Sequence, residues 1–492
     1  MAAICVDAGT TLIKAVGYDA SGAEVALARR EAGVIRRAAA TAEQDMTAVW
    51  DAVAQSVREV AAALDEPADF VALTAQGDGA WLVDETGRPA GPAILWNDGR
   101  AAGIVEEWAR DGVVERAFRR NGSLTSSGLQ HAVLAWLRRH EPRRLERSSA
   151  VLTCAGWIFS RMTGELAADE SPFMDARTRA HTPDLLDEYG MRWAERLLPA
   201  LRADTDRAAD LTGEAAAELG LPPGTPVVLA PYDIAATALG VGAVQPGQAS
   251  SILGTTLCTQ TVVDAPGLTG EPAGINVGLG VPGRYLRAFP TFSGGEVVGW
   301  AARLLGLGGP AELADLADGA APGAGGLAFL PYLSPAGERA PFHDPLARGA
   351  LLGLSFEHGR AEVARAVLEG LSLVIQDCLV AAGGRPRELR VCGGGAASAP
   401  WLRLIADVTG LPVIRSADAE VGARGAYLTG LVATGAAPDV DEAARRHVRL
   451  GPAREPDPGR RALYSQMYED FLTVREMNTP TWPVLTRTRG RS

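Results

Sequence analysis

The chain has 492 residues, too many for one hydrophobic core, so two domains are expected. A hydrophobic content of 47%, few aromatics and much glycine suit an α/β protein, while a net charge of −12 argues against nucleic acid or an anionic membrane as the main partner. Five scattered cysteines without a CxxC pair read as reduced thiols of a cytoplasmic protein, and no apolar run of about 20 residues is there to span a membrane.

In chain order, an apolar run at 2–6 leads into Asp7-Ala8-Gly9-Thr10-Thr11, and a second apolar run follows at 15–18. This reads as strand, Gly-Thr hairpin, strand. The hairpin tip offers backbone N–H groups and two hydroxyls where a phosphate can approach, and Asp7 can hold a metal-bound water or a substrate hydroxyl. Lys14 is the only lysine of the chain. It is either a compact point charge with a specific role or a plain surface residue. Apolar positions from Met46 to Leu64 recur at helical spacing and predict an amphipathic helix over 44–64. Residues 70–74 read as a buried strand that ends in the polar turn Gln76-Gly77-Asp78-Gly79. Residues 80–84 read as the returning strand, and 93–96 as another that ends at Trp96-Asn97-Asp98. Polar groups at the ends of successive strands are how an open α/β sheet builds a binding crevice. From the residues alone, Asp78 suits a hairpin turn as well as a sugar hydroxyl, and Trp96 suits a core as well as a wall of the site.

Residues 226–233 form an apolar strand that delivers Asp233 to the start of a helix at 234–240. There the carboxylate can cap the helix or serve as a base. The pattern then restarts: a strand at 249–253, Gly254-Thr255-Thr256, and a second strand at 257–263. The repeated Gly-Thr-Thr, in the same strand–turn–strand frame, suggests a duplicated domain with one phosphate-binding hairpin in each half. Further on, Ser293-Gly294-Gly295-Glu296 opens a helix to 305, and 362–383 is a long helix. A strand at 388–392 runs into Gly393-Gly394-Gly395-Ala396-Ala397, followed by a helix at 400–409. Strand, glycine run and helix N-terminus make a nucleotide site, but neither GxGxxG nor GxxxxGK[ST] fits. Small residues at 421–426 read as close helix packing. The six histidines show no metal-ligand spacing, and the basic tail at 487–491 reads as a frayed end.

Taken together, these residues resemble the FGGY carbohydrate kinases, members of the actin-like, ribonuclease-H-like ATPase superfamily. The most specific match is Gly349-Ala350-Leu351-Leu352-Gly353-Leu354 followed by Glu362-Val363-Ala364-Arg365-Ala366-Val367-Leu368-Glu369. The resemblance implies an α/β fold of duplicated actin-like domains, 1–243 and 244–492, around a cleft with a hinge near 240–250. It implies Asp233 as catalytic base and Asp7 as a catalytic residue that holds Mg2+. Gly9, Thr10, Thr11 and Lys14 would form the first phosphate motif, Gly254, Thr255 and Thr256 the second, and Gly393 to Ala397 the adenosine motif for ATP. Gln76, Gly77, Asp78, Trp96, Asn97 and Asp98 would line the sugar site with Asp233.

Two departures stand out: position 133, where the family's N-terminal signature expects a nearby lysine, is apolar, and Leu-Ala-Pro-Tyr replaces a glycine-rich segment before Asp233. Residues 76–79 look like erythritol and L-xylulose kinases, whereas 94–100 look like D-xylulose kinases. The leading expectation is a cytoplasmic ATP-dependent kinase for a small sugar or polyol, first a xylulose-type ketopentose and second an erythritol-like acceptor. A non-catalytic sugar sensor and a chaperone- or filament-type ATPase are the other classes, and a homodimer stays open.

Overall fold

The first hairpin closes on a hydrogen bond from the Gly9 N–H to the Leu12 carbonyl (3.0 Å). Ala3–Ala8 pairs antiparallel with Leu12–Tyr18, which sets Asp7 opposite Lys14. This is a computed structural model, and it describes residues 1–38 and 40–489. Ala39 and residues 490–492, the end of the basic tail, lie outside the described residues.

The hairpin belongs to a six-stranded sheet in the spatial order Ala208–Asp210, Pro226–Leu229, Phe70–Ala75, Ala3–Ala8, Leu12–Tyr18, Glu24–Glu31. A second six-stranded sheet runs Ile275–Gly278, Tyr285–Pro290, Leu257–Val263, Gln248–Leu253, Glu388–Cys392, Val413–Arg415. In each sheet the first strand of the half pairs antiparallel with its hairpin partner and parallel with a later strand. The hairpin partner then pairs antiparallel with a third strand, and the later strand pairs parallel with a fifth. Five strands therefore repeat in order and direction, and only the edge strands differ. The repeat is far larger than the Gly-Thr-Thr tripeptide that hinted at it.

Alternation along the strands decides which face meets which layer. Ile4, Val6 and Ala8 join the core beneath Met46–Ala63, a helix capped by Asp45, whose side chain accepts from the Thr47 and Ala48 N–H groups. Ala3 and Cys5 face the other way, towards Asp233–Gly240 and Val421–Ala433. These two helices lie between the sheets and cross at glycine. A Cβ on Gly240 would overlap the Val421 carbonyl oxygen, and one on Gly425 would overlap that of Ala236. The small residues at 421–426 thus allow backbone to approach backbone.

One pairing differs from expectation. Trp81–Val83 does not return along Phe70–Ala75 but pairs antiparallel with Ala150–Leu152. The turn before it explains the exit. Asp78 and Gly79 both adopt left-handed backbone (φ 53° and 73°), which swings the chain out of the sheet plane. At the other end, Arg461–Asn478 folds back on the second half. Its Tyr464 hydroxyl donates to Glu369 (2.9 Å) and accepts from Arg365 (2.6 Å). Among the described residues no helix is long and apolar enough to cross a membrane.

Candidate active site

Asp233 is the first residue of its helix, preceded by Tyr232. It does not cap that helix in the usual way: the one hydrogen bond it accepts among the described residues comes from the adjacent Ile234 N–H (2.7 Å). The carboxylate is half-buried, and it lines a cavity of ≈ 220 Å³ together with Thr10 and Thr256, one from each Gly-Thr-Thr hairpin. Burial, and next the charge of Asp7, push its pKa well above the usual carboxylate range.

The rest of that cavity comes from both halves of the chain. Gly77, Asp78 and Trp96 contribute from the first half, and Arg339 from the second. Burial raises the Asp78 carboxyl to about 6, against the opposing Tyr232 hydroxyl and Arg339. The Tyr232 hydroxyl donates to Asp78 Oδ2 at 3.3 Å. Arg339 donates to the Pro290 carbonyl (2.8 Å), and its guanidinium lies 5.2 Å from the Trp96 ring centre and 4.6 Å from that of Phe292. Trp96 is therefore a wall of the cavity.

A closed ring of hydrogen bonds fixes the first hairpin. Trp96 Nε1 donates to Thr10 Oγ1 (2.9 Å), and Thr10 Oγ1 donates to Gln76 Oε1 (2.8 Å). Gln76 Nε2 donates to Gln44 Oε1 (2.7 Å), and Gln44 Nε2 returns to the Thr10 carbonyl (3.0 Å). Two expectations change here. The Thr10 hydroxyl, expected at a phosphate, is engaged within the protein, while Thr11 beside it is exposed. Gln76, expected at the sugar, is buried with its amide bonded to Thr10 and Gln44, and it lines a neighbouring cavity beside Gly77 and Asp78.

Asp98 also departs from expectation. Its side chain is fully buried, paired with Arg100 Nε (2.8 Å) and accepting from the Ala42 N–H (2.7 Å). Arg100 in turn bonds Glu43 (2.7 Å). This carboxylate ties loops together and does not meet the cavity. Asn97 is exposed and stands outside the cavity wall.

Lys14 does not project alone from the hairpin. Its Nζ lies 2.8 Å from Glu420 Oε2 and 3.8 Å from Asp7 Oδ2, and Arg29 holds the other Glu420 oxygen at 2.6 Å. Burial works against the Lys14 charge, but Asp7 and Glu420 hold its pKa above the ordinary range. Glu420 directly precedes Val421–Ala433, so this cluster of four charged side chains ties the first hairpin to the start of the crossing helix. Asp7 itself presses on that start: a Cβ on Gly422 would lie 2.8 Å from its Oδ2. Burial raises the Asp7 pKa despite Lys14.

The second hairpin opens on a larger cavity of ≈ 900 Å³, lined by Gly254, Thr255, Gly394, Gly395 and Ala397, with Gly295 and Glu296 beside the hairpin. Gly393 holds a left-handed backbone (φ 85°) at the exit of its strand, against the Leu253 carbonyl. Ala396 is buried in the core behind this wall. Ser293 to Glu296 brace the hairpin: the Gly295 N–H donates to the Gly254 carbonyl (2.8 Å) and the Glu296 N–H to that of Thr255 (3.1 Å). The second Gly-Thr-Thr tip thus stands between the smaller cavity with the raised carboxylate and the large glycine-walled one, while the first meets only the smaller. Arg339, Tyr232 and Glu420 were not foreseen as parts of this site. For Tyr232 the signal was the departure from a glycine-rich segment before Asp233.

Among the described residues no group of three or more His, Cys, Asp and Glu side chains is set to hold a metal ion. A cation carried by phosphate groups needs less, commonly one or two carboxylates. Asp7 fits that role. Its side chain is 18% exposed at the base of the first hairpin, and the nearest cation, Lys14, sits closer to Glu420 than to it.

Comparison with known proteins agrees with this layout. The chain is 32% identical to an erythritol kinase of Brucella abortus (strain 2308), over 98% of this chain and 97% of that one. It is 32% identical to a xylulose kinase of Klebsiella pneumoniae, over 96% and 98%. The crystal structure of a xylulose kinase from Rhodospirillum rubrum superposes with a TM-score of 0.90 at 28% identity, covering 98% of this chain and 100% of that one. Residues 2–240 match the N-terminal domain of the FGGY family of carbohydrate kinases and residues 249–434 match its C-terminal domain. With its duplicated actin-like sheets and the cleft between them, the chain belongs to the FGGY family of carbohydrate kinases.

Proposed function

We propose that the protein transfers the γ-phosphate of ATP to a hydroxyl of a small ketose or polyol, with Asp233 as the general base. The observation that carries this reading is the shared wall of Asp233, Thr10 and Thr256: the raised carboxylate stands beside the acceptor space and between the two phosphate hairpins. A base works best with a pKa near the working pH, and a positioned one contributes roughly 10²–10⁴-fold. The adenosine end of ATP would occupy the ≈ 900 Å³ cavity against Gly394, Gly395 and Ala397. Lys14, held by Glu420, would stabilise charge on the transferred phosphoryl group. Mg2+ near Asp7 would neutralise phosphate charge. Phosphoryl transfer asks the protein mainly for positioning and electrostatic stabilisation.

For the acceptor, a xylulose-type ketopentose and an erythritol-like polyol both remain. Both stretches that bear on the choice reach the acceptor cavity. Gly77 and Asp78, which look like erythritol and L-xylulose kinases, line it, and so does Trp96 of the D-xylulose-like stretch, while Asp98 of that stretch is buried away from it. A coupled ADP-release assay across D-xylulose, L-xylulose, ribulose, erythritol, xylitol and glycerol tests the reading. At least one should stimulate turnover, and Asp233→Ala should abolish that turnover while leaving acceptor binding measurable by calorimetry. Full turnover by Asp233→Ala would remove the base assignment, and no response to any acceptor would remove the kinase reading.

A further inference from the structure

A second cavity lies behind the acceptor site, and Tyr232 stands between the two. The ≈ 220 Å³ acceptor cavity and a ≈ 90 Å³ cavity beyond it share Gly77, Asp78, Leu129, Tyr232 and Ile275 as walls. Tyr232 is the only aromatic side chain among these five. Its ring packs so tightly on Gly77 that a Cβ there would overlap it. Its hydroxyl is tied to Asp78 Oδ2 (3.3 Å) and its backbone N–H to Asp169 Oδ2 (2.8 Å). Glycine at 77 is thus what gives the ring its place, and two hydrogen bonds keep it there.

The space behind the ring is not a dry packing void. Gln130, His131, Asp169 and Glu170 line it. His131 is 1% exposed, yet neither ring nitrogen has a hydrogen-bond partner among the described residues. Buried polar groups in folded proteins are ordinarily paired, so unpaired ones facing a cavity mark a space that suits a hydroxyl-bearing occupant. Tyr232, which lines both cavities, would stand between these groups and an acceptor seated against Asp233.

We propose that Tyr232 sets the acceptor length, closing the pocket on short, neutral polyols or ketoses and withholding the polar space behind it from longer chains. The proposal rests on the kinase reading above. It also accounts for the Leu-Ala-Pro-Tyr departure before Asp233, because the aromatic ring shortens the pocket next to the base.

The test uses the full-length enzyme with erythritol, xylitol and sorbitol as acceptors of four, five and six carbons, followed by ADP release. The wild-type enzyme should favour the shorter acceptors. Tyr232→Ala should raise the six-to-four-carbon ratio of kcat/KM by roughly tenfold or more, the scale on which one carbon of pocket length discriminates. Tyr232→Phe keeps the ring and should keep the wild-type ratio, and the KM for ATP should stay unchanged in both. If Tyr232→Ala does not fold, Tyr232→Leu is read instead and should shift the ratio in the same direction. A wild-type preference for sorbitol, an unchanged ratio in the truncated variants, or an equal shift in Tyr232→Phe each overturns the proposal. A wild-type enzyme that turns over none of these polyols but does turn over a ketose overturns the proposal alone, and one that turns over neither class defeats the kinase reading and the proposal with it.

Discussion

Asp78 should lower the stability of the protein at neutral pH, and replacing it with asparagine should reveal by how much. The carboxyl is raised from 3.8 to about 6, chiefly by burial. Because the folded-state value lies above the unfolded one, the folded chain takes up the proton first as pH falls. Stability therefore rises as pH drops from 7 towards 4 and is lost as pH climbs back through about 6. Two pKa units correspond to about 3 kcal/mol, which is the stability Asp78→Asn should gain at pH 7.5. At pH 4.5, where the folded carboxyl is already protonated and the unfolded one is only partly ionised, the gain should shrink to about 1 kcal/mol. Asparagine suits this position: it tolerates the left-handed backbone at 78, and its side-chain oxygen can still accept from Tyr232. The assay is thermal unfolding of substrate-free protein at both pH values. For a cooperative unit of about 240 residues, 3 kcal/mol is worth about 6 °C in Tm. A gain equal at the two pH values, or a loss at pH 7.5, would refute the claim that a buried charge is the cause. The same variant should bind its acceptor more weakly, since Asp78 lines the cavity.

Asp98→Ala should cost about 3–5 kcal/mol, because Arg100 loses a buried partner; the Ala42 N–H is orphaned as well. Thermal unfolding should show the loss while the acceptor KM of the folded enzyme holds, and a raised KM at full stability would return Asp98 to the sugar site. Lys14→Ala should lower kcat by roughly 10²-fold, on the scale of one lost donor to a charged transition state. Glu420→Gln, which loosens Lys14 without removing it, should lower kcat less. If acceptor affinity falls as steeply as kcat, the phosphate role of Lys14 is wrong. Gly295→Ala places a methyl 2.6 Å from the Gly254 carbonyl oxygen. It should displace the second hairpin and raise the KM for ATP by about tenfold or more, leaving the acceptor KM in place; nucleotide titration by intrinsic fluorescence would settle it.

What the sequence made legible was local. Both Gly-Thr-Thr hairpins, the strand that delivers Asp233 and the glycine run after Glu388–Cys392 are contiguous, and each lies where its strand pattern placed it. Partnership across the chain was not legible. The apolar run marked 80–84 as a strand but says nothing of its partner, and left-handed backbone at 78 and 79 sends it to Ala150–Leu152. The polar cluster after residue 96 did not tell a carboxylate in a cavity from one sealed by Arg100, since both look polar at a strand end. Lys14 stood out by composition alone, while Glu420, the residue that fixes it, lies at the far end of the chain. Arg339 reaches the acceptor cavity from a turn-rich stretch whose residues carry no periodic signal.

The glycine crossing of Asp233–Gly240 and Val421–Ala433 also bears on leverage. Gly240 meets Val421 and Gly425 meets Ala236, so the two helices touch at a waist, and Asp233 stands about 10 Å up the helix from Gly240. A rotation of one half against the other about that waist moves each atom in proportion to its distance from it. Asp233, within about two turns of the crossing, lies on a short arm of such a lever. Such a rotation would therefore shift the carboxylate less than atoms farther from the waist.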